Sequence, residues 1–149
     1  MTFPSFFFKV PPIVLHDRLA EFLGAADGGL IEYHYADAVK LAGHSCPTVA
    51  GAWLMTVRAL RALYGDDIPE RGNIAVALRE SLDSGVAGVI ASVAGLLTGA
   101  AGAGGFKVRF LIHSETHVPI MVSWQLPPTN VIMRVPGQPP PATIAPGAV

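Results

Sequence analysis

Lys40-Leu41-Ala42-Gly43-His44-Ser45-Cys46-Pro47-Thr48-Val49-Ala50-Gly51 is the stretch around which the rest of the chain is organised. It holds the only cysteine, a histidine two residues before it and a proline directly after it. From Pro47 to Tyr64 the apolar residues Val49, Trp53, Val57, Leu60 and Tyr64 recur at helical spacing, and Leu54 widens that face. Cys46 is therefore expected at the N-cap and Pro47 at the first helical position, where its missing N–H costs nothing. A thiol at that place meets the positive end of the helix dipole, which favours the thiolate. His44 and Cys46 are placed to share a metal or to work as a base and thiolate pair. The same spacing also suits a plain helix start with a small buried cysteine, because H-x-C is far less specific than a paired C-x2-C motif.

Before this stretch, Tyr35 to Leu41 reads as helix, with Ala36, Val39 and Ala42 on one side, and Gly43 turns the backbone sharply into His44. Leu30 to Tyr35 begins as a short strand or as the lead-in to that helix, and Gly28-Gly29 is a turn. Asp17 or His16 opens a short helix through Leu19, Ala20, Phe22 and Leu23, which Gly24 stops. Phe3 to Pro12, aromatic and proline-punctuated, is expected as an extended arm packed on the body. After the long helix, Gly65-Asp66-Asp67 closes it. Arg58 and Arg61 stand on a solvated face.

Asn73 to Arg79 alternates, with Ile74, Val76 and Leu78 on one face, and predicts a strand. A helix over about Gly85 to Leu97 follows, capped by Asp83 or Ser84. One side of that helix is a stripe of small residues: Gly85, Gly88, Ser92, Gly95 and Gly99. Glycine weakens a helix by ~1 kcal/mol per residue against alanine, so the stripe needs a reason. Close approach of a neighbouring helix is favoured over a ligand lying on the backbone. Phe106 to Ile112 and Val118 to Leu126 read as two strands of a hairpin, and residues 127–149 as a proline-rich, flexible tail.

Composition narrows the classes. The chain has 149 residues, suited to one domain with a core, and is 51% hydrophobic and 14% charged. A net charge of −1 gives no electrostatic case for nucleic acid or an anionic membrane. One cysteine excludes an internal disulfide framework and fits the reducing cytoplasm. The uncharged run from Ser84 to Phe106 is too glycine-rich for a bilayer helix, and the apolar start lacks the basic region of a signal peptide.

The segment Ala42-Gly43-His44-Ser45-Cys46-Pro47, with Ala50-Gly51, resembles the H-G-H-x-C-P-G signature of the formylmethanofuran dehydrogenase E-like family. Phe3-Pro4, Leu19 to Gly24, Ile68 to Gly72 and the glycine-rich helix ending in Thr98-Gly99 also have counterparts in a small stand-alone bacterial branch. The resemblance covers roughly Phe3 to Lys107, within a domain taken as residues 1–126. It implies an α+β fold, a small mixed or antiparallel sheet with packed helices in one domain, often as a homodimer. It also implies metal, usually zinc, held through His44 and Cys46. Asp83 is the candidate third ligand, and Glu80, His113 and His117 are further candidates. Three departures matter: Ala42 replaces the first histidine, Gly85 and Leu96 stand where many relatives have cysteines, and no cysteine-rich module is present. Past Lys107 the chain leaves the family pattern. The implied activity is on a small carbonyl or C1-type molecule, with zinc polarising a carbonyl or activating water. The residues alone also suit a non-catalytic metal-binding protein, or a metal-free thiol enzyme with Cys46 as catalytic nucleophile and His44 as base.

Overall fold

The computed structural model describes residues 2–78, 81–100, 122–125 and 130–134. Among them the chain is α+β, with two small antiparallel sheets and helices packed on them. Strand β1 (Ile13–His16) pairs antiparallel with β2 (Leu30–Tyr33), bringing Leu15 opposite Ile31. The alternation is legible in burial: Ile13 and Leu15 face the core and Val14 faces out. Between these strands sits the five-residue helix α1 (Arg18–Phe22), whose first turn is capped by Asp17 accepting from the N–H groups of Leu19 and Ala20, both at 3.0 Å. A second sheet is built in the order β3 (Ala75–Leu78), β5 (Asn130–Arg134), β4 (Val122–Gln125). Residues 130–134 of the expected tail are thus the central strand of a sheet. The other tail residues and most of the expected hairpin lie outside the described residues.

Helix α3 (Pro47–Tyr64) has the expected start and end. It buries more than the one face that periodicity gave: Val49, Ala52, Trp53, Met55, Thr56, Val57, Ala59, Leu60 and Leu63 are all buried. A helix apolar over most of its circumference is one that the remaining elements surround. Helix α2 (Tyr35–Ala42) contributes Tyr35, Ala38 and Val39 to the same core, and helix α4 (Ala87–Thr98) contributes Ile90, Val93, Ala94 and Leu97. Two buried hydroxyls, Thr56 and Thr98, are satisfied within their own helices by donating to the carbonyls of Ala52 and Ala94 at 2.8 and 2.7 Å. Leu54 does not widen the buried face; it is half exposed, with consequences for the site below.

The amino-terminal arm is not extended throughout. Ser5–Lys9 form a 3-10 turn that plants Phe7 in the core. Phe7 meets Tyr35 edge-on at 5.0 Å between centroids, and Tyr35 meets Trp53 in the same way at 6.1 Å. Such pairs add about 0.5–1.5 kcal/mol each beyond area burial, so a short aromatic series joins the arm to α2 and α3.

Helix α4 begins at Ala87, two residues later than expected, and neither Asp83 nor Ser84 caps it. Gly85 has φ +54, outside the right-handed helical region, and the Ser84 N–H bonds the Ser81 carbonyl in a separate turn. Gly88 and Gly99 of the small-residue stripe serve close packing, but against loops, whereas Gly85 meets nothing within 4 Å and Ser92 is exposed. A Cβ at Gly88 would stand 2.7 Å from the Leu82 carbonyl oxygen, and one at Gly99 would stand 3.1 Å from the Gly72 nitrogen. Gly51, in the second turn of α3, faces open space. Gly51 and Gly88 should therefore respond oppositely. Gly51→Ala is expected to stabilise by about 0.5–1 kcal/mol, the helix-propensity gain. Gly88→Ala is expected to destabilise by up to about 2 kcal/mol net, because an overpacking cost of about 1–3 kcal/mol exceeds that gain. Urea midpoints at unchanged m-value read both.

Candidate functional site

The site grows from the junction of α2 and α3. Gly43, at φ 76 in the left-handed region, ends α2 and turns the chain. No atom lies within 4 Å of a Cβ built there, so glycine is needed for the dihedral and not for room. The three residues that follow are pinned separately. His44 Nδ1 donates to the Ala42 carbonyl at 2.9 Å. The Ser45 and Tyr35 hydroxyls share a 2.7 Å hydrogen bond, which ties the junction to the aromatic series. Cys46 is the extended N-cap residue of α3, with Pro47 at the first helical position, as the sequence predicts.

Electrostatics follow from this placement. The N–H of Val49 in the first turn of α3 is the largest influence holding the Cys46 thiol below its ordinary value. Partial burial opposes it, and the neighbouring His44 imidazole and the Thr48 N–H reinforce it. No formal capping hydrogen bond is made, so the effect is that of aligned donors near sulfur. His44 moves the other way: the Ala42 carbonyl, then Cys46, raise its pKa above 6.5. Because Nδ1–H is engaged, neutral His44 presents the Nε2 lone pair as base or ligand.

Cys46 opens onto a cavity of about 410 Å³ whose walls include Phe6, Val10, Trp53 and Leu54. The polar contribution comes from Ser45, Cys46 and the Tyr35 edge. Helix α3, the amino-terminal arm and the junction of α2 and α3 all contribute to its lining. Tyr35, Phe6 and Val10 carry no motif, and Leu54 read as core; only its off-stripe position, one residue after Trp53, pointed to a separate face.

The structure brings His44 and Cys46 to one place, but not as part of a larger donor set. Asp83 accepts a hydrogen bond from the Ser81 hydroxyl in the turn before α4. No three His, Cys, Asp or Glu side chains among the described residues are grouped to hold a metal ion. A zinc site takes three or four protein ligands, so the two donors here do not complete one by themselves. Glu80, His113 and His117 lie outside the described residues. His34 bonds Glu32 at 2.7 Å on the surface, and His16 belongs to a separate polar cluster.

Comparison with protein-family models, with curated proteins and with solved structures found no match. Among the described residues no helix is long and apolar enough to cross a membrane.

Proposed function

We propose that this chain binds a small, largely apolar carbonyl compound in the cavity beside α3 and presents the Cys46 thiolate to it. One observation carries the reading: the only cysteine is both the N-cap of an 18-residue helix and part of an apolar cavity wall. In the reaction the thiolate sulfur adds to the carbonyl carbon, the C=O π pair moves to oxygen, and that oxygen takes a proton. His44 Nε2 holds the proton released by the thiol and returns it to the oxygen, so the addition needs no further reactant. Phe6, Val10 and Leu54 select for an apolar substituent and displace water from it.

Protection against alkylation tests this. In metal-free protein, hexanal should slow iodoacetamide modification of Cys46 several-fold. Leu54→Asn, polar but uncharged, should remove that protection while leaving the rate without aldehyde nearly unchanged. Equal rates with and without aldehyde would refute the reading.

A second reading keeps zinc, as the motif resemblance implies. Its support is the Nδ1–H bond to the Ala42 carbonyl, the arrangement that orients Nε2 of a metal-binding histidine. His44 and Cys46 would hold the ion, which supplies Lewis acidity to a bound carbonyl; the remaining ligands would come from Asp83, Glu80, His113, His117 or a homodimer partner. Purified protein should then carry stoichiometric zinc that Cys46→Ala and His44→Ala lose. Full occupancy in both variants excludes this pair as ligands.

A further inference from the structure

Away from the cavity, the end of β1 carries a histidine with a carboxylate on each ring nitrogen. His16 Nδ1 meets Glu70, 54 residues away in sequence, and Nε2 meets Glu21 of α1 at 3.2 Å. Its ring lies against the backbone of Gly29, where an added Cβ would stand 2.9 Å from the imidazole. Around it, Arg18 donates to the second Glu70 oxygen at 3.1 Å, and Arg71 donates to Asp17 at 2.7 Å. The backbone repeats the connection: the His16 N–H bonds the Pro69 carbonyl at 3.0 Å and the Arg71 N–H bonds the His16 carbonyl at 2.7 Å. The segment 68–72 is in turn joined to the end of α4, where the Gly72 N–H bonds the Thr98 carbonyl at 2.8 Å.

Donor counting decides what this arrangement requires. Both ring nitrogens are donors only in the imidazolium; a neutral imidazole donates from one and turns a lone pair toward the other carboxylate. Two carboxylates are therefore served by the charged ring and only one by the neutral ring. Arg18 and Arg71 leave the balance at His16 in place, since Arg18 occupies the far oxygen of Glu70 and Arg71 is held by Asp17 and the Leu96 carbonyl; Tyr64, beside Glu70, stays neutral in this range, its pKa pushed up to about 12 by burial.

We propose that His16 is a pH-operated clasp: as the imidazolium it ties segment 68–72 to the β1–α1 junction, and on losing its proton it loosens that segment and its bond to the end of α4. The hydrogen bond to Glu70, followed by the Glu70 charge and the contacts to Glu21, raises the His16 pKa above 6.5 against the opposing effect of partial burial. The sign is fixed by that direction. The clasp's contribution is complete below pH 6.5, the ordinary histidine value, and is lost as pH rises through the folded-state value.

Amide hydrogen exchange across this range, corrected for intrinsic rates, tests the clasp beside an NMR titration of the His16 ring in the same sample. Protection of the Arg71 and Gly72 N–H groups should fall about tenfold, the effect of losing one charge-assisted hydrogen bond, with its midpoint at the His16 titration. Glu21→Gln, on the exposed side of the ring, should lower the His16 midpoint and carry the exchange step with it. Flat Arg71 protection, or a step that stays in place in Glu21→Gln, would overturn the proposal.

Discussion

Trp53→Ala is expected to cost about 3–5 kcal/mol, the range for removing a buried tryptophan side chain. The indole is 1% exposed, lies among the buried residues of α2 and α3, and ends the series that runs from Phe7 through Tyr35. Removing it takes away a large apolar surface and leaves a void that neighbours fill only in part. It also removes one of the two edge-on partners of Tyr35, and Tyr35 fixes Ser45. Against a typical total stability of about 5–15 kcal/mol, that loss is a large share of the whole. A urea titration should show a much lower midpoint at unchanged slope. Leu54→Ala is the control: next to Trp53 in sequence but half exposed, it should cost under about 1 kcal/mol. Similar losses in the two variants would mean that the core is not organised around α3.

The contrast between these neighbours shows what the sequence could reveal. Local signals placed α3 well, because Pro47 suits only a first turn and Gly65 stops the last one. They placed α2 for the same reason, with Gly43 as its left-handed end. They defined the Cys46 N-cap as well, since that position depends on residues two or three apart. What depends on distant residues was hidden. The Phe3–Phe7 region looks like an arm until Tyr35 is known to receive Phe7. The cavity needs Phe6 and Val10 beside Leu54, and no periodicity within one segment brings them together. His16 carries no motif because Glu70 reaches it from across a hairpin and two helices. The start of α4 was misplaced by a local competition: Gly85 adopts a positive φ and the turn at Ser81–Ser84 satisfies the backbone before the helix begins. Asp83 illustrates both limits, since its role as cap fails locally and its role as ligand requires partners that the described residues do not bring together.

The second large effect is expected at Cys46. In chelator-treated protein, its alkylation rate at pH 7 should exceed that of the urea-unfolded chain several-fold, and its half-maximal pH should lie below the ordinary thiol value. The thiolate is the nucleophile, so the pH profile reports its fraction directly. The depressed folded value also fixes the stability linkage: the thiolate's contribution is present above the unfolded thiol pKa and fades as pH falls through the folded one. His44 works in the opposite sense, its contribution present below 6.5 and fading as pH rises through its raised value. His44→Ala should move the alkylation midpoint upward, but only part of the way to the unfolded value, because the Val49 N–H is the larger influence and survives the change. At high pH the order of rates should reverse. A thiolate of lower basicity is intrinsically less nucleophilic, with a Brønsted slope of about 0.4–0.5, so the folded plateau should lie below the unfolded one. That crossing separates helix-stabilised thiolate from mere accessibility, which would raise or lower the rate at every pH alike. A profile that coincides with the unfolded chain's would show that the start of α3 does not tune its cysteine, and the thiol chemistry proposed for the cavity would lose its basis.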